Sequence, residues 1–194
     1  MSITLVAGLG NPGRTYAATR HNLGWVVLDA VAQKHGLTWK HEAAFEAEIA
    51  RWDCPPHDVR WLVKPATFMN GSGRSVGAVA RFHRLAPEAI VAVYDDLTID
   101  FGLVKVTAAG SAGGHNGVAS LIEHVGDAFV RYRIGIGPKQ PPQMELTDFV
   151  LGKFTPDQHT FITQKLDHYV EGLELLLNRG AEAAMNQLNR RDNK

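Results

Sequence analysis

Short apolar runs alternate with amphipathic stretches along most of the chain. The apolar runs predict six strands, at Ile3–Ala7, Phe45–Trp52, Val59–Val63, Ile90–Tyr94, Leu103–Val106 and Val130–Ile136. Apolar residues at helical spacing predict helices at about His21–His35, Gly73–Arg84, Asn116–Val125, Thr155–Asn178 and Ala181–Leu188. Such alternation of strands and helices predicts an α/β layered fold.

The second and third predicted strands are separated only by D-C-P-P-H-D, which is typical of a hairpin. A hairpin within an otherwise alternating α/β pattern predicts a mixed sheet. We therefore expect one domain over residues 1–188, a twisted mixed β-sheet surrounded by α-helices, followed by a polar tail over residues 189–194. In the last long helix, Thr155 and Gln158 form a predicted capping box, Pro156 suits the first helical position, and Gly180 offers a left-handed stop.

Composition narrows the class of protein. The 194 residues include 45% hydrophobic and 21% charged residues, which is ordinary for a folded domain. Lysine plus arginine (20) equals aspartate plus glutamate (20), so contact with nucleic acid would need a local basic patch. A single cysteine, Cys54, fits a reducing compartment, and no secretory signal or membrane-spanning run is evident. We expect a cytoplasmic location.

The first candidate site is the glycine-rich loop Gly8–Gly13, directly after the first strand. It has the outline of a dinucleotide-binding motif, but the following residues carry no apolar helical stripe and Asp29, the nearest acidic residue, follows no strand. A tight turn is the simpler interpretation. An exposed Asn11 in that turn could be a turn former or a ligand-binding amide, and the sequence leaves both open.

Titratable side chains follow two of the predicted strands. His21 lies eight residues after the glycine loop, and imidazole is the side chain best suited to act as a base at neutral pH, although a structural role is the alternative. Asp95 and Asp96 end the strand at Ile90–Tyr94. Either carboxylate could orient His21 or bind a metal, but the ligand spacing is a thin basis for a metal site.

Two further segments place asparagines beside glycines. In the segment over residues 64–73, Asn70 or Ser72 could cap the next helix, or Asn70 could bind a substrate. The loop over residues 110–117 opens a helix at Asn116, and its backbone N–H groups suit an anion or a carbonyl oxygen. His115 in that loop could be a cap or a ligand.

Basic residues are also found near these loops. Arg131 and Arg133 share one face of the last predicted strand, which indicates either a phosphate clamp or a solvated strand face.

Taken together, these stretches resemble the bacterial peptidyl-tRNA hydrolase family. G-L-G-N-P-G-x-x-Y-x-x-T-R-H-N-x-G is intact at residues 8–24, and K-P-x-T-x-M-N-x-S-G at residues 64–73. V-A-V-Y-D-D-L at residues 91–97 matches V-x-x-D-D-L with one extra residue, and G-S-A-G-G-H-N-G and R-x-R-I-G-I-G follow at 110–117 and 131–137. Five motifs in order are highly specific, and the resemblance covers most of the chain.

The resemblance implies hydrolysis of the ester between a peptide and the 3′ ribose of tRNA, by a metal-free, cofactor-free and usually monomeric enzyme. By motif, His21 matches the family's catalytic histidine and Asp95 its acidic partner. The implied substrate-binding residues are Asn11, Tyr16, Met69, Asn70 and Asn116. No serine or cysteine has the setting of a nucleophile, so direct attack by water is the expected reaction.

The resemblance also implies that Lys105 and Arg133 hold a phosphate of the tRNA acceptor stem. A basic residue that family members often carry two positions after Lys105 is replaced here by Thr107. Two other functions compete with the hydrolase. An RNA-binding module without catalysis would not need His21, Asp95 and all three asparagines. A nucleotide-dependent oxidoreductase would need a helix directly after the glycine-rich loop and an acidic residue at the end of the next strand, and the sequence shows neither.

Overall fold

The molecule is built around one mixed sheet. The computed structural model describes residues 2–55 and 58–189. Within these residues the strands are β1 (Leu5–Gly8), β2 (Lys40–Glu42), β3 (Ala47–Cys54), β4 (Asp58–Pro65), β5 (Ile90–Asp100), β6 (Val104–Thr107) and β7 (Val130–Gly137). They lie in the order β2-β3-β4-β1-β5-β7-β6.

Strand directions confirm the predicted mixed sheet. β1 is parallel to β4 and β5, and β5 is parallel to β7. β2, β3 and β4 form an antiparallel meander, and β6 pairs antiparallel with β7 at the other edge. The predicted hairpin is β3–β4. β2 was not predicted, because its three residues are all exposed and polar and carry no apolar signal.

Helices cover both faces of the sheet. They are α1 (Leu23–Lys34), α2 (Ser72–Phe82), α3 (Asn116–Val125), α4 (Leu146–Leu151) and α5 (Pro156–Leu188), with 3-10 turns at Arg20–Asn22, Ala43–Phe45, Met69–Gly71 and Pro87–Ala89. The predicted capping box of α5 is formed by Thr155 and Gln158. Gly180, at φ 82°, kinks the helix where a stop was predicted, so α5 contains both predicted C-terminal helices.

Alternate residues of the central strands face two separate cores. Val6, Val91 and Val93 pack with α1 and α5 on one face, and Leu5, Ala7 and their neighbours pack with α2 and α3 on the other. Because β1 is buried on both faces, it reads as a continuous apolar run. The parallel strands β1, β4 and β5 end at the same edge of the sheet, and the loops that follow them therefore meet there.

The residue that follows α5 is hydrogen-bonded to the sheet. Asn189, placed in the predicted tail, is hydrogen-bonded to β6: its amide accepts from the N–H of Val106 (2.7 Å) and donates to the carbonyl of Val106 (2.8 Å). Residues 190–194 of the tail lie outside the described residues. No helix that the structure describes combines the length and apolarity needed to cross a membrane.

Candidate active site

A cleft of about 440 Å³ opens at the carboxyl edge of the parallel strands. Its walls come from the loop after β1, the turn at Arg20–Asn22, the segment after β4, the end of β5, the glycine loop before α3, and α4. This is the edge at which α/β sheets commonly place ligands. The sequence-predicted residues that line the cleft are Asn11, Tyr16, His21, Met69, Asn70, Asp95 and Asn116.

His21 and Asp95 form a buried hydrogen-bonded pair. The Nδ1 atom of His21 lies 3.0 and 3.1 Å from the two carboxylate oxygens of Asp95. Since an ionised carboxylate only accepts, Nδ1 carries the proton and donates it. Nε2 therefore holds the lone pair, and it makes no hydrogen bond to any described residue. A proton-accepting nitrogen is thus available at the base of the cleft.

His115 is a second imidazole partner of Asp95. Its Nε2 lies 3.2 Å from Oδ1 of Asp95, and its ring centroid lies 4.6 Å from that of His21. Its Nδ1 accepts the backbone N–H of Val118 (3.3 Å) as the N-cap of α3. The sequence left a cap and a ligand role open, and the side chain caps the helix while also contacting Asp95. No spacing rule would have predicted the second contact.

The Asp95 carboxylate stays ionised despite its burial. Its exposed fraction is 2%, and burial by itself would raise the pKa of the carboxyl group. Attraction to the protonated form of the His21 ring and the hydrogen bonds from His115 and His21 outweigh burial and hold the pKa of Asp95 below its ordinary value. Asp95 is therefore an acceptor that fixes the orientation of His21 throughout the neutral range.

The side chains of His21, Asp95 and His115 place their possible ligand atoms within 4.8 Å of one another, as in a metal site. However, a metal ion needs a lone pair on Nε2 of His115. The N–H of Val118 already occupies the lone pair on Nδ1, so Nε2 of the neutral ring carries a hydrogen. The donor chemistry favours a hydrogen-bonded cluster over a metal centre.

Asn11 is held rigidly by the protein. Its side-chain oxygen accepts the N–H of Met69 (2.7 Å), while the amide of Asn22 accepts from the backbone N–H and donates to the carbonyl of Asn11 (both 2.9 Å). Asn11 is 5% exposed, so the expectation of an exposed turn residue was wrong. Asn22, to which the sequence assigned no role, makes the hydrogen bonds that water would otherwise make to the Asn11 backbone. The side-chain N–H₂ of Asn11 has no partner among the described residues and borders the cleft.

The other two asparagines are less constrained. Asn70 and Asn116 are both exposed at the cleft, and neither side chain is hydrogen-bonded within the described part of the chain. The alternative that Asn70 or Ser72 caps α2 was wrong, because that helix begins without a side-chain cap. Their amides are therefore accessible to a ligand.

One wall of the cleft is apolar. Leu146, Val150 and Leu151 of α4 form it, and Phe68, 60% exposed, packs edge-on against Tyr16 at the rim (6.1 Å between ring centroids). α4 was not predicted, since its six residues are too short to show helical periodicity.

The two adjacent aspartates have separate partners. Asp96 accepts from Nε of Arg133 (2.9 Å) and from the N–H and hydroxyl of Thr98 (2.7 and 2.6 Å). Successive residues of a strand point to opposite sides, so only Asp95 reaches His21. The alternative that Asp96 orients His21 is therefore excluded.

The basic residues Lys105, Arg131 and Arg133 differ in whether their side chains are accessible to a phosphate. Lys105 lies directly opposite Arg133 in the β6–β7 ladder, so the two side chains share a face beside Asp96. Arg131, in contrast, is 1% exposed and donates to the backbone carbonyls of Asp127, Phe129 and Gly110. Arg131 therefore holds the glycine-rich loop before α3 and is not available to bind a phosphate.

An imidazole, its carboxylate partner and free amide donors at one edge of a mixed α/β sheet suit a hydrolase that activates water. The chain belongs to the peptidyl-tRNA hydrolase family, whose model matches residues 5–194. This confirms the family resemblance predicted from the motifs.

Similar proteins share nearly the whole chain. Peptidyl-tRNA hydrolase of Symbiobacterium thermophilum is 48% identical over 188 residues, which cover 95% of this chain and 98% of that protein. The protein of the same name from Gloeobacter violaceus is 43% identical, with coverages of 98% and 96%. A crystal structure of peptidyl-tRNA hydrolase from Acinetobacter baumannii superposes with a TM-score of 0.89 at 37% identity, covering 96% of this chain and 94% of that one.

Proposed function

We propose that the chain hydrolyses the ester bond between a peptide, or an N-blocked aminoacyl group, and the 3′ ribose of tRNA. This reaction recycles tRNA from prematurely released peptidyl-tRNA. The observation that carries the proposal is the buried pair of His21 and Asp95, with Nε2 of the imidazole free inside the cleft of a member of this family.

In the proposed reaction, Nε2 of His21 takes a proton from a water molecule while the water oxygen attacks the ester carbonyl carbon. The tetrahedral intermediate then collapses, the bond to the ribose 3′ oxygen breaks, and the imidazolium returns the proton to that oxygen. General base catalysis of this kind typically contributes about 10²–10⁴ in rate. Asp95 holds the ring and stabilises the imidazolium that forms.

The negative charge on the carbonyl oxygen needs a donor that is already in place. Of the three cleft asparagines, Asn11 best meets this need, because the N–H of Met69 fixes its side-chain oxygen and so directs its N–H₂ group. A preorganised donor is typically worth about 10²–10³ in rate. Asn70 and Asn116 are exposed and unconstrained, and we assign them to binding of the peptide backbone. Tyr16 and Met69 are assigned to contact with the acyl chain. Recognition of backbone would make the enzyme indifferent to peptide sequence.

Direct attack by water fits the lining of the cleft. Among the described residues that line it, none is a serine or a cysteine. Outside the cleft, Lys105 and Arg133 are proposed to hold a phosphate of the acceptor stem, with the protein acting in the cytoplasm. The proposed enzyme is a monomer without an obligate protein partner.

The proposal is tested by rapid-quench measurement of N-acetylaminoacyl-tRNA cleavage by the wild-type protein, following the free tRNA and the free acid separately. We expect both products to appear with one rate constant. A burst of tRNA ahead of the acid would contradict direct attack by water. Tight tRNA binding without cleavage above the buffer rate would instead identify an RNA-binding module.

A further inference from the structure

Arg20, the residue before His21, is a buried cation without a carboxylate partner. It is 8% exposed, and burial lowers the pKa of its guanidinium. No carboxylate oxygen in the described part of the chain lies within ion-pair distance of it. Because a buried charge is unfavourable unless other groups satisfy it, the groups that surround Arg20 indicate what it does.

Those groups belong to α4 and to the start of α5. Nη1 donates to the carbonyl of Phe149 (3.2 Å), and Nη2 donates to Oε1 of Gln158 (3.1 Å). The guanidinium carbon lies 4.5 Å from the ring centroid of Phe149, in cation–π contact. A cation on a carbonyl in the last turn of α4 also interacts favourably with the helix dipole.

The backbone around Arg20 holds the same segment. Its N–H donates to the carbonyl of Gly152 (3.0 Å), and Thr19 forms an isolated antiparallel bridge with Lys153. A Cβ atom at Gly152 would lie 2.9 Å from Nη1 of Arg20, so a larger residue there would displace the guanidinium. The turn carrying His21 is therefore joined to the C-terminal end of α4 by side-chain and backbone contacts together.

This junction links two sides of the cleft. His21 lies at its base, and Leu146, Val150 and Leu151 of α4 form its apolar wall. α4 has only six residues, with Phe149 as its one buried side chain, so its own packing does little to fix its position. The contacts of Arg20 supply the missing restraint.

We propose that Arg20 is a positioning residue that sets the distance between His21 and the α4 wall. The inference rests on the proposed function, in which His21 activates water, and it adds the α4 wall to Tyr16 and Met69 as a surface that holds the acyl chain. Loosening the junction would leave the His21–Asp95 pair intact but misplace the ester relative to it. A misplacement of about 1 Å typically lowers the rate about 100-fold.

The chain offers a matched control in Arg60. That arginine is also 8% exposed, donates to a backbone carbonyl (Leu177, 2.9 Å) and lies over an aromatic ring (Trp52, 5.4 Å), but it does not line the cleft. Arg20→Lys and Arg60→Lys both keep a positive charge and remove a planar, two-sided donor. A purely structural role predicts the same outcome for both variants.

The experiment measures kcat, KM and the melting temperature of both variants on N-acetylaminoacyl-tRNA. We expect similar decreases in melting temperature, a decrease in kcat of about 10- to 100-fold for Arg20→Lys alone, and an unchanged pH midpoint of kcat. Equal kcat values for Arg20→Lys, Arg60→Lys and wild type would overturn the inference. Absence of turnover by the wild type would instead overturn the proposed function.

If Arg20→Lys does not fold, Gln158 carries the test. Gln158→Ala removes one acceptor from Arg20, whereas Gln158→Glu keeps an acceptor for both Arg20 and the N–H of Thr155. We expect kcat to decrease about 3- to 10-fold in the alanine variant and to return to within about twofold of wild type in the glutamate variant. Wild-type kcat in the alanine variant, or the same decrease in both, would overturn the inference.

Discussion

At the scale of single residues, the centre of the cleft depends on how one carboxylate is shared. Asp95 accepts from both His21 and His115, and the remaining nitrogen of each ring has a different environment. Nδ1 of His115 is occupied by the N–H of Val118, whereas Nε2 of His21 has no protein partner among the described residues. The two histidines are therefore not equivalent, and only His21 is available as a base.

Asp95→Asn tests this asymmetry. The amide can still accept from His21, but it carries no charge to stabilise an imidazolium and presents a donor to one of the rings. We expect kcat to decrease about 10²- to 10⁴-fold, as measured by single-turnover cleavage of N-acetylaminoacyl-tRNA. Asp96→Asn, which changes the neighbouring carboxylate bound to Arg133, is the matched control. Equal decreases in the two variants would contradict a special role for Asp95.

The pH dependence of stability gives an independent test of Asp95. Its pKa is lower in the folded protein than the ordinary value of about 3.9, so its contribution to stability is present above about pH 4 and is lost as pH falls through the folded pKa. The difference in melting temperature between wild type and Asp95→Asn should therefore persist down to about pH 4 and decrease as the pH is lowered further. A difference that grows below about pH 4 would show that the sign is wrong.

Asn11→Asp tests the proposed oxyanion donor while keeping the local fold. The carboxylate retains the acceptor for the N–H of Met69 but replaces the free N–H₂ group with a second acceptor. We expect kcat to decrease about 10²- to 10³-fold with little change in melting temperature. Asn70→Asp should raise KM more than it lowers kcat, and the reverse ranking would move the oxyanion donor to Asn70.

At the residue scale, the motifs named side chains that the structure brings together at the cleft, including His21, Asp95 and Asn11. Most of the contacts that these side chains make depend on the fold and were not predicted. The residue types alone did not decide between Asp95 and Asp96, because that choice depends on which way each side chain leaves β5, and only the family motif indicated Asp95. The burial of Asn11 and its two backbone hydrogen bonds with Asn22 depend on contact between two segments, which spacing along the chain does not specify.

At the scale of secondary structure elements, strongly patterned segments were predictable and short ones were not. α3 has the predicted bounds, and α5 has its predicted cap and its kink at Gly180. β2 and α4 were missed because three and six residues contain too little periodicity. The consequence for the site is large, because α4 supplies the apolar wall and the contacts of Arg20.

The β6–β7 ladder yields a test of the tRNA clamp. Lys105 and Arg133 lie opposite each other, so two cations are presented at one place beside the cleft. We expect Arg133→Ala to weaken tRNA binding and to reduce the slope of log affinity against log salt by about 1, since one phosphate contact is lost. Fluorescence titration of tRNA from low to moderate salt measures both quantities.

Arg51→Ala is the control for that titration. Arg51 is exposed on β3 and paired with Asp53 (2.8 Å), and β4, β1 and β5 separate its strand from β7. It should leave the salt slope unchanged. An unchanged slope in Arg133→Ala as well would remove Arg133 from the clamp.

At the scale of the whole molecule, one sheet with a core on each face supports the cleft. The parallel strands β1, β4 and β5 end at one edge, so the segments after β1 and β4 meet Asp95 of β5 and the glycine-rich loop before α3. The alternation of strands and helices was enough to predict this fold class. The strand order was not predicted, because it depends on long-range pairing rather than on local pattern.

The most direct test compares wild type with His21→Ala in single-turnover cleavage of N-acetylaminoacyl-tRNA at neutral pH in the presence of a metal chelator. We expect full activity for wild type and a rate about 10²- to 10⁴-fold lower for the variant, with tRNA affinity retained and the variant still folded at the assay temperature. Near wild-type cleavage by His21→Ala would show that the imidazole held by Asp95 does not activate the water that cleaves the ester.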